Sequence, residues 1–202
     1  MKIYLFMVPE HYFQALVDRI NSFYIVSQPL LKALRSLLRV YHFPNAEYIL
    51  RKGRRARFAW FIVDGYVREV NNNIGKDNTH TTWFWYPGDF VLAYPVFLNQ
   101  KDAVSDIEVL PNTTLLEISH EDFIYLKTKF PELGMLIEEI KYYYHKGRLD
   151  HNEDLFILSG KQKYRKLHQA HPKLFNVAKH KDIATFLGLK DIGFRRYYSL
   201  FP

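Results

Sequence analysis

The chain has 202 residues and a formal net charge of +7, with 48% apolar residues, 17% aromatic residues and no cysteine. This length holds one large or two modest domains, and the apolar content excludes disorder as the dominant state. The lack of thiols excludes disulfides, thiolate-held iron–sulfur clusters and cysteine nucleophiles, and it fits a reducing compartment. Charge is unevenly placed. From Ser159 to Pro202, ten Lys/Arg stand against two acids, Asp182 and Asp191, so this stretch carries +8 and the first 158 residues −1. A basic module on a near-neutral body is the electrostatic footprint of a protein that docks on a polyanion.

The amino terminus has a short apolar run, Met1–Val8, ended by Pro9, Glu10 and His11. It is too short for a signal peptide, and no stretch approaches a membrane span, so a soluble cytoplasmic protein is expected. Ser27 predicts the cap of a helix with Pro29 in its first turn, carrying Leu30, Leu31, Leu34, Leu37 and Leu38 at helical spacing and ending at His42-Phe43-Pro44-Asn45. The pattern then turns to short β segments at 46–50, 58–63, 66–70, 79–86, 104–109 and 113–118, with a polar loop at 71–77. Asp64-Gly65 predicts a two-residue hairpin, because Asp-Gly tolerates the positive φ such a turn needs. Strands at such intervals suggest an all-β roll or barrel.

Helices return after Ser119, where a cap hydroxyl and Asp122 stand three residues apart. Pro131 begins a longer helix with Leu133, Leu136, Ile137, Ile140 and Tyr144, then Leu155 and Leu158. Its apolar stripe either pairs with a second copy or packs on its own β domain. Ser159 and Gln162 repeat the capping pattern and open the basic module, which puts a boundary near residue 158. The expected domains are 1–130, a connecting helix 131–158, and 159–202. Within the last, Ala184, Gly188, Phe194 and Tyr197 have helix-turn-helix spacing. Ala184 permits close helix approach, Gly188 ends the first helix in the left-handed conformation, Phe194 and Tyr197 face inward, and Arg195 and Arg196 project outward. The second helix of such a unit enters the DNA major groove, where Arg bonds bidentately to guanine.

In this order the segments resemble the Crp/Fnr family of bacterial transcription regulators over most of residues 28–202. The resemblance rests on Leu50-Arg51-Lys52-Gly53, on Phe61–Arg68, on Thr82–Phe90 with its Pro87-Gly88-Asp89 turn, on the long helix, and on the terminal helix-turn-helix. It implies an α+β protein: a cyclic-nucleotide-binding-type β-roll (double-stranded β-helix), a long dimerisation helix and a C-terminal helix-turn-helix domain. It also implies a homodimer reading a two-fold-symmetric double-stranded DNA operator, with a small-molecule effector as a further partner. In nucleotide-binding members a Gly-Glu pair and a later Arg hold the ribose and cyclic phosphate. Here those positions fall on Gly88-Asp89 and Ala103, and no Arg occurs from Asp89 to Val109. A buried phosphate without a countercharge costs several kcal/mol, so cyclic AMP is not the expected ligand. The candidate sensor pocket is instead Trp85, Gly88, Asp89, Phe90, Ala103 and Val104, and for the aromatic residues Trp85, Phe90, Tyr94 and Phe97 plain core packing is the favoured alternative to lining it.

Lys179, Lys181, Thr185, Lys190, Arg195 and Arg196 are the expected DNA contacts, with Lys179 and Lys181 on phosphates and Thr185 and Lys190 at the groove margin. Several family members read bases with an acid, a Ser and an Arg, and those positions hold Ile192, Arg195 and Arg196. Gly193 should weaken this helix by about 1 kcal/mol relative to Ala. The chain shown also stops soon after Tyr198, before any β wing. These departures sustain an alternative, a β-roll ligand-binding or protein-interaction module with a degenerate helix-turn-helix. Metal, cofactor and enzymatic chemistry are not expected. His80 is isolated, His145 and His151 are six apart, and His168 and His171 lie among lysines, which favours a DNA-facing or exposed role. No phosphate-binding glycine loop or nucleophile elbow is present.

Overall fold

The computed structural model describes residues 3–5, 7–72, 79–93 and 95–200. The loop expected at 71–77 therefore lies largely outside the described residues, as does Tyr94. Among the described residues, nine strands form two antiparallel sheets. The first sheet has the order β1 (Ile3–Leu5), β2 (Arg39–Phe43), β9 (Thr113–Ser119), β4 (Phe58–Asp64), β7 (Phe90–Val91). The second has the order β3 (Glu47–Leu50), β8 (Asp106–Val109), β5 (Val67–Asn72), β6 (Thr79–Trp85).

The two sheets face each other around a core of Phe43, Trp60, Ile62, Val67, Trp85, Phe97, Ile107, Val109 and Leu115. Alternation along the strands sends the intervening residues the other way, as the two-residue period of a strand requires. Phe61 and Leu116 join Leu16, Ile20, Leu30, Leu31, Leu126, Leu136, Ile137 and Ile140 in a helix-facing core. That core is built by α1 (Glu10–Phe23), α2 (Gln28–Leu37), α3 (His120–Lys129) and the first half of α4 (Glu132–Ile157). Phe84 and Tyr66 leave the second sheet on its outer side. They meet α5 (Gly160–Ala170), α6 (Leu174–Val177), α7 (His180–Phe186) and α8 (Asp191–Leu200) through Tyr164, Leu167, Leu174, Phe175, Ile183, Phe186 and Phe194.

Local signals placed the helix starts correctly. Ser27 Oγ accepts from Leu30 N–H at 3.3 Å, Ser119 Oγ from Asp122 N–H at 3.1 Å, and Ser159 forms a complete capping box with Gln162. Two expectations fail. The helix beginning at Ser27 does not run on to His42: it ends at Leu37, and Arg39–Phe43 pairs with β9. Leu38 continues the helical period in sequence, but Val40 and Phe43 are claimed by the two cores.

Asp64-Gly65 does not form a hairpin, because β4 and β5 belong to different sheets. The chain turns a corner there instead. Gly65 has φ +90, and a Cβ on it would fall 2.3 Å from Thr113 Oγ1. Tyr66 N–H donates to that oxygen at 3.1 Å, while Thr113 Oγ1 donates to Leu110 C=O at 2.8 Å, so the β4–β5 and β8–β9 corners are clamped together.

Candidate nucleic-acid interface and sensor cleft

The helix-turn-helix forms where its glycine predicts. Gly188 has φ +63, and Leu189 N–H donates to Ala184 C=O at 2.9 Å, closing α7 before α8 starts. Ala184 and Phe194 are buried, the latter against Tyr164, Phe175 and His180. Gly160 admits Tyr197 and Leu189 to the start of α5, since a Cβ there would stand 3.0 Å or less from each side chain. On the opposite face of α8, Ile192, Arg195 and Arg196 are exposed, as are Lys179, Lys181 and Lys190 nearby. The Arg195 guanidinium lies 2.8 Å from Asp191, one helical turn earlier.

Thr185 is exposed as well, but its hydroxyl is engaged with the roll. Its hydroxyl accepts from Thr81 N–H of β6 at 3.0 Å and donates to Asp182 C=O at 2.9 Å. Asp182, three residues earlier on the same helical face, is buried and ion-paired with Arg68 of β5 at 2.8 Å. Arg68 also donates to Thr81 Oγ1 and Glu108. One side of α7 is thus committed to the roll.

His171 is turned onto the roll. Its ring stacks on Tyr86 with centroids 3.4 Å apart, and His151 of α4 stacks on Phe186 at 4.1 Å. Burial lowers both imidazoles from the ordinary histidine range. His168 stacks on Tyr164 within its own module.

The expected sensor pocket is only partly assembled. Trp85 and Phe90 border a cleft of about 650 Å³ between the roll and α4, with Glu69, Leu92, Glu138, Lys141, Tyr142, Tyr144, His145 and Arg148. Gly88 and Asp89 stand outside it. The Asp89 carboxylate is already engaged: it accepts from Tyr86 N–H at 2.9 Å and from the Tyr144 hydroxyl at 3.0 Å, and Arg19 of α1 lies at 3.7 Å. Burial raises this carboxyl despite those three favourable contacts. Burial and the neighbouring Asp89 charge push the Tyr144 hydroxyl up well above its usual range. Asp89 therefore braces the turn against α1 and α4.

Ala103 is buried in the roll and exchanges backbone bonds with Gly53 and Arg54, whereas Val104 is exposed. Phe97 fills the roll interior against Phe123 and His120. Sequence reasoning overlooked Arg148, which pairs with Glu69 at 2.8 Å and lies over the Trp83 ring, so that charge on α4 is tied to the roll.

Of the two fates open to the stripe of α4, packing on its own domain is observed for Leu133, Leu136, Ile137 and Ile140. A second stripe faces solvent: Met135, Tyr142, Leu149 and Phe156 recur at seven-residue intervals and are 54%, 67%, 54% and 89% exposed. That spacing was legible in the sequence, but the more continuous apolar positions around it masked it.

Residues 40–129 match the cyclic nucleotide-binding domain family. Among solved structures, the chain is similar to FixK2 from Bradyrhizobium japonicum, at 15% identity and TM-score 0.67, over 80% of this chain and 82% of that one. It is also similar to the c-di-GMP-responsive global regulator CLP of Xanthomonas campestris, at 16% identity and TM-score 0.63, over 86% and 91% of the two chains. For the Thermus thermophilus catabolite activator protein the values are 17% identity and TM-score 0.53, over 90% and 85%. A search of curated proteins gave no significant match. The roll, the long helix and the terminal helices together share the fold of these solved structures, and the matched cyclic nucleotide-binding domain covers the roll from β2 to α3.

Proposed function

We propose that the protein is a DNA-binding transcription regulator of the Crp/Fnr type, acting as a homodimer in a bacterial cytoplasm, and that its work is binding rather than catalysis. The observation that carries this is the exposed basic face of α8, held on a glycine-hinged helix pair whose buried side is filled by Phe194. Arg195 and Arg196 are placed to meet base edges or phosphates, with Lys179, Lys181 and Lys190 supplying further charge. Dimerisation through Met135, Tyr142, Leu149 and Phe156 would set two such faces against a two-fold-symmetric operator.

Cyclic AMP is not the effector in this proposal, because Asp89 is spent on Tyr86, Tyr144 and Arg19 and the later Arg position holds Ala103. An effector of other chemistry would enter the cleft beside Trp85, Phe90 and Arg148 and act on α4 directly. Selection of bound fragments from genomic DNA tests the proposal. An enriched palindrome, lost in the Arg195→Ala/Arg196→Ala double variant, is expected. Sequence-blind binding would favour the alternative, a β-roll interaction module whose helix-turn-helix does not read DNA. That alternative draws on Ile192, which is 84% exposed where several family members place an acid.

A further inference from the structure

The loop joining β3 to β4 carries Arg51, Lys52, Arg54, Arg55 and Arg57, five cations in seven residues. Its backbone is pinned on both sides. Gly53 N–H donates to Ala103 C=O at 2.8 Å, Ala103 N–H to Arg54 C=O at 2.9 Å, and His120 N–H to Arg57 C=O at 2.8 Å. Lys52 N–H donates to Asp106 Oδ1 at 2.6 Å, and Gln100 Nε2 reaches Ala56 C=O at 2.9 Å, with Ala56 wholly buried as the anchor. The cationic side chains therefore project from a fixed track rather than a floppy turn.

Arg51, Arg54, Arg55 and Arg57 line a cleft of about 600 Å³ together with Tyr48, Phe58 and Trp60. Arg51 is paired with Asp106 at 3.2 Å and covers the Tyr48 ring at 3.4 Å. Among the described residues no ion pair joins Arg54, Arg55 or Arg57 to an acid, and Asp102 is the one carboxylate on the cleft wall. Arg54, Arg55 and Arg57 are exposed on one wall, with Asp102 bridged through the backbone to Arg55 as the nearby carboxylate, so the cleft keeps excess positive charge that a multivalent anion neutralises. The concavity is of the size that takes a small molecule. Guanidinium forks match phosphate oxygens bidentately, and the half-buried Phe58 offers an apolar wall for an organic portion.

We infer that this cleft binds a small phosphorylated ligand bearing at least a diphosphate, separately from the sensor cleft beside α4 and from the DNA-reading face. Titration calorimetry of the full chain at low ionic strength, with pyrophosphate, orthophosphate and ATP as probes, tests this. Expected is saturable binding of pyrophosphate and ATP at one site per chain, at least about tenfold tighter than orthophosphate, the equivalent of one lost charge-assisted hydrogen bond. The Arg54→Gln/Arg55→Gln/Arg57→Gln variant should lose it, with an unchanged far-ultraviolet spectrum, while Lys179→Gln/Arg195→Gln keeps it. Non-saturable binding would overturn the inference. So would equal loss in both variants, or a loop variant that weakens duplex DNA binding and leaves pyrophosphate binding intact.

Discussion

The guanidinium of Arg68 lies 2.8 Å from the carboxylate of Asp182, with both side chains almost wholly removed from solvent, and this pair joins the second sheet of the roll to α7, the first helix of the helix-turn-helix. Around it, Arg68 also donates to Thr81 Oγ1 and to Glu108, and the Thr185 hydroxyl links Thr81 N–H to the Asp182 backbone carbonyl. Arg68 is shared by the Asp182 and Glu108 carboxylates, so removing it leaves both without their cation, which costs about 3–5 kcal/mol. Arg68→Ala should therefore destabilise the protein by roughly 3 kcal/mol and make the Ser159 junction more susceptible to protease. The Arg68→Met/Glu108→Gln/Asp182→Leu triple variant should recover most of that loss. An Arg68→Ala melting temperature equal to the parent's would show that the triad contributes nothing to docking.

The stacked histidines give this interface a pH dependence. His151 rests on Phe186 and Trp83, with Asp154, Arg148 and Lys166 as the charges that act on it, and His171 rests on Tyr86. Desolvation lowers both imidazoles in the folded chain, so the unfolded chain binds more protons as pH falls through the ordinary histidine range near 6.5. Stability should accordingly be full above that range and decline below it, towards the depressed folded values. Melting curves between about pH 5.5 and 7.5 would show the slope. His151→Gln/His171→Gln should flatten it, and an undiminished slope in that variant would assign the effect to other groups.

Phe156 is 89% exposed at one end of the solvent-facing stripe on α4, and Tyr142 is 67% exposed near its middle. Burying a side chain of this size is worth about 1.5–3 kcal/mol, and a two-fold interface counts it twice. Phe156→Glu should raise the dimer dissociation constant by at least about 100-fold, measured by sedimentation equilibrium. Leu133→Glu, on the buried stripe, should instead unfold the protein. An unchanged dimer in Phe156→Glu would remove this stripe from the interface.

For DNA, Lys179→Ala and Lys181→Ala should each reduce the slope of log affinity against log salt by about 1, with little change in sequence preference. Arg196→Ala should cost about 1–3 kcal/mol and relax preference at one operator position. Thr185→Ala should act on melting temperature rather than on the salt slope, because its hydroxyl serves β6. A steep change of salt slope in Thr185→Ala would contradict that placement. Fluorescence anisotropy with a selected operator distinguishes these outcomes.

Signals that act over a few residues were legible in the chain itself. The caps at Ser27, Ser119 and Ser159, the left-handed Gly188, the inward Phe194 and the strand positions of the roll follow from hydrogen-bonding geometry and from periods of 2 and 3.6 residues. The uneven charge pointed to the basic terminal module, although quoting the first 158 residues as a near-neutral sum concealed the five cations at 51–57 behind acids elsewhere. The seven-residue spacing from Met135 to Phe156 was also present in the sequence, but nothing local tells which of two stripes on one helix is covered.

Tertiary structure alone decided the rest, because each remaining question concerned partners distant in sequence. Asp64-Gly65 is a corner rather than a hairpin because Thr113, nearly fifty residues on, takes the place a paired strand would need. Asp89 braces two helices because Arg19 and Tyr144 reach it from separate elements. Asp182, one of two acids in a basic tail, becomes the latch between the roll and the helix-turn-helix only because Arg68 is buried opposite it. Short-range sterics and periodicity determine which elements form, whereas desolvation of a charge depends on what the whole fold places beside it.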